Sequence, residues 1–518
     1  MKKDLIGKEL GVVLTPPKTA EYIVSKLSTI KKGQKILDPC VGPGVFVETL
    51  IKAGVNRNQI HAYDIDPTYE TIIENLGVRF KNLDNLLSIN PECYEEFDFI
   101  VGNPPYLNKA SSYVKNNKKR LKKIYGKINA HETYSMFIVN SIWRLKDGGR
   151  LGFITSDSFL SLSTHTRLRE FILENCLIIE ILLAPKHLFS DQKVSTNPAI
   201  IILEKCSGKH NQVRRNQNVM RIVPRVKSEN DYLVPKRHLK INQEKYYTLP
   251  FRIFFVDVEE EIVNIFETAP KLEAFLKGYI GMHTHDNRKY IAAVQSTDLA
   301  QNFEKKNRDI NEPNQKYRIV SENSLKSNAW KPYLKRGGSE QYFRPISEAL
   351  DWSAKAIKIY DIPKNVPFEK EGIVISGVSS RLAARYMPKG CYWDSNKAIG
   401  FILKDKSLTI PYMLGLLNSS FYNYLAKGII NNTNSIQISG IHSLPFILPN
   451  NRIKNGVEEQ VSIIMEKKNK DYHYNYVEEQ RRIDTLIFNF YAQEFGLPHS
   501  LKQKIDNKYS IYPRRVLS

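Results

Sequence analysis

The chain has 518 residues, 42% hydrophobic and 25% charged, which is too long for one core and ordinary in composition, so two or three globular domains are expected. Its 76 Lys and Arg against 54 Asp and Glu leave a net charge of +22 and make a polyanion, nucleic acid above all, the natural partner. No apolar run approaches ~18 residues, which argues against a membrane span. Cys40, Cys93, Cys176, Cys206 and Cys391 are odd in number and lack CxxC spacing, which argues against a disulfide framework or a structural zinc site. With a polar N-terminus that lacks the apolar core of a signal peptide, these features fit a cytoplasmic protein.

In chain order, Lys8 to Lys26 holds Val13-Leu14-Thr15-Pro16-Pro17 and then a helix-like run through Ile23 and Leu27. Thr15 is expected to cap that helix, with proline tolerated in its first turn. Lys35-Ile-Leu-Asp-Pro-Cys-Val-Gly-Pro-Gly-Val-Phe46 reads as strand, glycine loop and helix. It leaves Asp38 at the strand's carboxyl edge, followed by Pro39 and Cys40. Gly42 and Gly44 let the backbone approach a ligand there. The pattern suits NAD, FAD or S-adenosylmethionine. Its spacing is not GxGxxG, which counts against a dinucleotide, and no GK[ST] follows. Gln59 to Asp66 reads as a second strand ending in Asp64, where a carboxylate can accept both hydroxyls of a ribose. Asp66-Pro67 starts the next helix. Phe80 to Leu87 brings a third acid, Asp84, to the same edge.

Asp98-Phe-Ile-Val-Gly-Asn-Pro-Pro-Tyr106 is the stretch around which the rest is organised. A short apolar strand delivers Asn103, Pro104, Pro105 and Tyr106 to the top of the sheet. Proline fixes the backbone and cannot donate, so both proline carbonyls are expected to face outward as acceptors beside the Asn103 amide. With Tyr106 as an aromatic plate, the set suits a flat molecule with an exocyclic amino group. Gly102 to Ala130 reads as a long polar loop rich in lysine, and Lys118, Lys119, Arg120 and Lys122 are candidates for phosphate contacts. Thr133 to Leu145 has helical spacing ended by Gly148-Gly149. Buried strands follow at Arg150–Thr155, within Phe171–Leu183 and within Asn197–Leu203, giving a doubly wound sheet.

This order of elements resembles the gamma, TaqI-like class of DNA adenine-N6 methyltransferases. The carriers are Thr15-Pro16-Pro17, Asp38 to Phe46, Asn103 to Tyr106, Tyr134-Ser-Met-Phe137, Gly148 to Ile154 and Leu188-Phe-Ser-Asp-Gln-Lys-Val194. The resemblance implies a Rossmann-like S-adenosylmethionine-dependent catalytic domain over residues 1–227. A mixed α+β target-recognition domain with C-terminal helices follows over 228–518. By that analogy Thr15, Asp38, Cys40, Asp64, Ile65, Asp84 and Asn85 contact S-adenosylmethionine, joined by Pro39, Gly42, Gly44 and Asn103. Phe189 would stack on a flipped adenine opposite Tyr106. Asn85 departs from the pattern, since relatives often carry an aromatic there. Asn103 and the Pro104 carbonyl would accept both N6 hydrogens and aim the nitrogen lone pair. Such chemistry needs neither a metal nor a covalent enzyme intermediate.

Beyond residue 228 the β-α rhythm fades. Leu272–Gly281, Tyr333–Gly338, Gly377–Arg381, Leu414–Ser420 and Asn432–Leu448 resemble pieces of recognition domains in related restriction–modification enzymes. There Lys335, Arg336, Arg381 and Arg385 are candidates for DNA contacts. Glu458 to Phe490 reads as helices, with Ile483, Leu486, Ile487 and Phe490 on one apolar face. Double-stranded DNA is therefore the expected partner. The recognised elements begin at Thr15 and no nuclease carboxylate cluster stands out behind them, so any cleavage is expected to belong to a separate protein, and a solitary methyltransferase without a partner nuclease is the other expectation. Competing readings are a methyltransferase acting on RNA guanine N2 or protein glutamine, and an inactive DNA-binding specificity protein.

Overall fold

The computed structural model describes residues 11–89, 95–126, 128, 132–192, 196–335, 338–395, 397–431 and 433–511. It divides into two compact units, residues 1–258 and 259–518.

Apolar runs with few polar interruptions are buried on both faces, and parallel sheets use them that way. The strands of the first unit are β1 (Ile36–Asp38), β2 (Ile60–Asp64), β3 (Phe80–Asn82), β4 (Phe97–Gly102), β5 (Leu145–Ser156), β6 (Cys176–Leu183), β7 (Pro198–Lys205), β8 (Val219–Val223) and β9 (Leu239–Asn242), of which β1, β4, β6 and β7 are such runs while the edge strands β3 and β9 are largely exposed. They form one sheet in the order β3-β2-β1-β4-β5-β7-β6-β8-β9. Strands β1 to β5 pair in parallel. Strand β7 lies antiparallel between β5 and β6. The helices that concern the site are α1 (Pro17–Ser25), α2 (Val45–Lys52), α3 (Glu70–Asn75), α4 (Ser112–Tyr125), α5 (Thr133–Arg144) and α6 (Thr166–Asn175). This is a Rossmann-like α/β fold. Strand order reverses between β1 and β4, and ligands of open α/β sheets bind outside the carboxyl ends of the strands at such a point.

Four expectations need correction. The run after Tyr106 is not a loop: Ser112–Tyr125 forms α4, because Val114, Leu121 and Tyr125 bury one face and the Ser111 hydroxyl caps its start. Thr15 does not cap α1; that position is Pro16, with no side-chain cap bond. Helix α5 ends at Arg144 without the glycines, and Gly148, at φ 77°, lies within the β5 segment. Finally, the boundary lies at 258/259 and not at 227/228. Strand β9 pairs with β8, Arg169 donates to the Phe251 carbonyl at 2.8 Å, and Phe254 stacks on Tyr246 at 4.6 Å, so residues 228–258 complete the first unit.

The second unit is mixed α+β. Strands β10 (Leu276–Ile280), β15 (Gly372–Ser376), β16 (Ala384–Met387) and β18 (Ala398–Leu403) form a four-stranded sheet. Strands β11 (Ile291–Val294), β12 (Ile319–Val320), β13 (Trp330–Leu334), β14 (Glu348–Asp351) and β17 (Tyr392–Trp393) form another of five. Helices α7 (Ile410–Asn418), α8 (Asn451–Lys470), α9 (Val477–Phe495) and α10 (His499–Tyr509) follow. On α9, Ile483, Ile487 and Phe490 are buried, as their spacing predicts, whereas Leu486 is only half-buried. Gly415 lets α7 meet α8 closely: a Cβ there would lie 2.4 Å from a Val457 methyl.

Candidate active site

At the β1/β4 reversal the strand ends open onto a cavity of about 270 Å³. Thr15, Pro39, Cys40, Gly42, Asp64, Ile65, Asp84, Asn85, Asn103 and Pro105 all line it, although the chain brings them from five separate segments. Asp38 lies beneath the wall and is almost wholly buried. Its Oδ1 accepts from the Cys40 N–H at 3.2 Å, while Oδ2 has no partner. Burial, reinforced by the charge of Asp64, pushes the Asp38 carboxyl up to about 8. Asp64 is also raised, first by burial. It accepts from the Gly42 N–H at 2.9 Å and from the Asp66 N–H at 3.0 Å. Gly44 opens α2 at φ 97°, where a Cβ would stand 2.8 Å from an Ile73 methyl. Burial likewise holds the Cys40 thiol well above its usual range, so it is a neutral wall and not a nucleophile. Ile65 keeps 40% of its surface exposed, an apolar face beside the cavity.

Asn103 is oriented by one bond. Its Nδ2 donates to the Val13 carbonyl at 2.8 Å, which leaves Oδ1 buried and without a partner. The amide therefore presents a desolvated acceptor. Pro104 is buried and Pro105 lines the cavity. The Pro105 carbonyl is not a free acceptor as expected, because the Thr133 hydroxyl donates to it. Tyr106 and Phe189 do come together, with ring centroids 6.4 Å apart and planes tilted by 58°. They stand beside the cavity and not among its lining residues.

Other residues matter to which the sequence assigned no role, although Gln192 and Tyr134 lie within motifs already named. Gln192 clasps the backbone of Leu14 from both sides, accepting from its N–H at 2.6 Å and donating to its carbonyl at 2.8 Å. Tyr113 of α4 lines the cavity and donates to both oxygens of Asp84, at 3.0 and 3.1 Å. Behind Tyr106, the Tyr134 ring packs edge-on at 6.3 Å, and its hydroxyl meets Ser158 Oγ at 2.7 Å and the buried His165 Nε2 at 3.0 Å. The motif around Tyr134 was a signal for the last of these; nothing in sequence pairs positions 84 and 113.

The basic candidates separate. Lys118, Lys119, Arg120 and Lys122 are exposed on the outer face of α4. Lys335 is not a free cation: its ammonium sits 2.5 Å from the buried Asp394 carboxylate. Arg381 turns inward and donates to the Tyr509 carbonyl at 2.9 Å, and burial lowers its pKa. Arg385 is also buried, 3.7 Å from Glu340. Arg336 lies outside the described residues. No metal set was legible in the sequence, yet the fold of the second unit gathers His283, His285 and Asp361 at the surface with donor atoms within 4.8 Å of one another. Among the described residues, no helix is long and apolar enough to cross a membrane. Cys40, Cys176, Cys206 and Cys391 are free thiols.

Residues 28–189 match the family model of the Eco57I restriction-modification methylases. That segment holds the glycine loop, both acids of β1 and β2, Asn103 to Tyr106, and Phe189. The chain is 27% identical over 263 residues to the type II methyltransferase M.HincII of Haemophilus influenzae, covering 46% of this chain and 48% of that protein. It is 31% identical over 181 residues to the type II methyltransferase M.TthHB8I of Thermus thermophilus, covering 32% and 39% respectively. The chain thus spans about half the length, or less, of these curated relatives. Among solved structures, the type IIL restriction-modification enzyme MmeI in complex with DNA superposes with a TM-score of 0.53 at 14% identity, covering 94% of this chain and 75% of that one. A nuclease-deletion mutant of the type ISP enzyme LlaGI with a DNA substrate mimic gives 0.51 at 15% identity, covering 88% and 54%. At these identities the likeness is one of fold.

Proposed function

We propose that this chain is a site-specific DNA methyltransferase of a restriction–modification system. In this reading it transfers a methyl group from S-adenosyl-L-methionine to N6 of an adenine flipped out of double-stranded DNA, and residues 259–518 recognise the target. The observation that carries the reading is the Asn103 amide, locked through Val13 with its oxygen buried and unpartnered. A desolvated neutral acceptor beside two aromatic rings suits an exocyclic amine and has no use as a general base. The type II methyltransferase relatives and the Eco57I match support the same class.

The cavity fits the cofactor. Asn85 Oδ1, in the cavity lining, is a buried acceptor without a partner and suits an amino group, while Asp38 Oδ2 lies unpartnered just behind the wall and suits an ammonium once the carboxyl is ionised. The Asp64 carboxylate stands where ribose hydroxyls are accepted, and Ile65 offers an apolar face to a base. S-adenosyl-L-methionine supplies an electrophilic methyl group on a sulfonium. The chain's own contribution is orientation. Asn103 and the Pro104 carbonyl accept the N6 hydrogens, which favours a more tetrahedral nitrogen and points its lone pair into the cavity. Tyr106 and Phe189 hold the base by its faces. A ring between them needs about 3.5 Å on each side, so their present tilt relaxes as the base enters.

Nucleoside analysis of DNA from a host expressing the chain tests this directly. N6-methyladenine is expected with the intact chain and absent with Asn103→Ala. DNA without any modified base, despite soluble expression, would overturn the reading and turn attention to RNA guanine or protein glutamine.

A further inference from the structure

Helix α4 carries two unlike faces. Outward, Lys115, Lys118, Lys119, Arg120, Lys122 and Lys123 are all exposed, and Ser112–Tyr125 contains no acid. Lys115 with Lys119, Lys118 with Lys122, and Lys119 with Lys123 are like charges four residues apart, an arrangement that destabilises a helix unless an anion lies across it. Inward, the helix grips the loop after β3 at two points. Near its start, the Tyr113 hydroxyl donates to both Asp84 oxygens and the ring forms part of the cavity wall. At its end, the Tyr125 hydroxyl donates to the Leu86 carbonyl at 3.0 Å. Asp84 is further fixed by the N–H groups of Leu86 and Leu87, each at 3.1 Å. Burial and the Asp84 charge keep the Tyr113 hydroxyl protonated and therefore a donor.

We propose that α4 couples phosphate binding on its outer face to occupancy of the cavity, with Tyr113 as the positioning residue that transmits the coupling through Asp84. The inference rests on the methyltransferase reading and deepens it. A DNA backbone lying across the lysines relieves their repulsion and holds the helix. The held helix keeps Tyr113 on Asp84, so the carboxylate faces the cavity in one orientation. By thermodynamic reciprocity, a filled cavity strengthens DNA binding by the same factor.

The test is isothermal titration of S-adenosyl-L-homocysteine, the demethylated product, into the full chain with and without a saturating mixed-sequence DNA duplex. For the native chain the duplex is expected to tighten binding by roughly fivefold or more. Tyr113→Phe removes only the hydroxyl. It should keep the unfolding midpoint and still bind duplex, while the tightening falls below about twofold, well under the usual range of allosteric coupling. Full tightening retained in Tyr113→Phe overturns the role of Tyr113, and a native affinity indifferent to duplex overturns the coupling. A native chain that binds no S-adenosyl-L-homocysteine at all overturns the methyltransferase reading as well, so the two failures are distinguishable.

Discussion

Asn103→Ala is expected to separate stability from activity. The side chain makes one bond, Nδ2 to the Val13 carbonyl, and carries one buried oxygen with no partner. Losing a hydrogen bond costs about 0.5–1.5 kcal/mol, whereas removing an unsatisfied buried acceptor recovers about 1–3 kcal/mol. The variant should therefore unfold at the same urea concentration as the native chain or slightly higher. Activity should move the other way. A single preorganised group acting on the reacting centre contributes about 10²- to 10³-fold, or roughly 3–4 kcal/mol of barrier. Tritiated methyl transfer to an unmethylated duplex gives the rate, urea denaturation the stability, and calorimetry the cofactor affinity, which should change little. A variant within tenfold of native rate, or one destabilised by more than about 2 kcal/mol, would refute the reasoning, since Asn103 would then be a structural residue.

Asp38 is raised to about 8 from its ordinary 3.8, chiefly by burial, so the folded chain keeps a proton that the unfolded chain has lost. The stability from that proton is full below about pH 4 and is lost as pH rises through 8. Asp38→Asn should therefore gain stability relative to native toward pH 8 and above in urea titrations. Its cofactor affinity should be weaker and lose the native increase with pH, since only the ionised carboxylate attracts an ammonium. Lys335→Ala should destabilise the chain by about 3 kcal/mol, because Asp394 is left buried without its cation. The salt dependence of its DNA affinity should stay unchanged, because that charge is already neutralised. Gln192→Ala releases Leu14 from two hydrogen bonds and should weaken cofactor binding roughly threefold to tenfold by calorimetry, with the unfolding midpoint little altered. Gly44→Ala forces a side chain into φ 97° and against Ile73, and its unfolding midpoint should fall by more than about 1 kcal/mol equivalent.

Local chemistry made the first unit legible. A buried strand, a glycine loop and an acid at a strand end are written within a few residues, and parallel β-loop-α repetition brings every such end to one edge. Thus Asp38, Asp64, Asn103 and their neighbours could be placed together from sequence, whereas Phe189 opposite Tyr106 was implied only by the resemblance to the gamma-class enzymes. Only the tertiary structure decided where hydrogen-bond capacity remains. Of the acceptors expected near Tyr106, the Pro105 carbonyl is taken by Thr133 and the Asn103 oxygen is left open. Helix α4 was hidden because its buried face is just Val114, Leu121 and Tyr125, while its anchors on Asp84 and Leu86 come from a distant loop. The sign of Lys335 and Arg381 was plain, but their direction was not. Lys335 finds Asp394 59 residues away and Arg381 finds the Tyr509 carbonyl 128 residues away. Residue type and local spacing determined what each segment could do. Long-range contacts, which alone set burial and pair each donor with an acceptor, decided which groups remain free to do it.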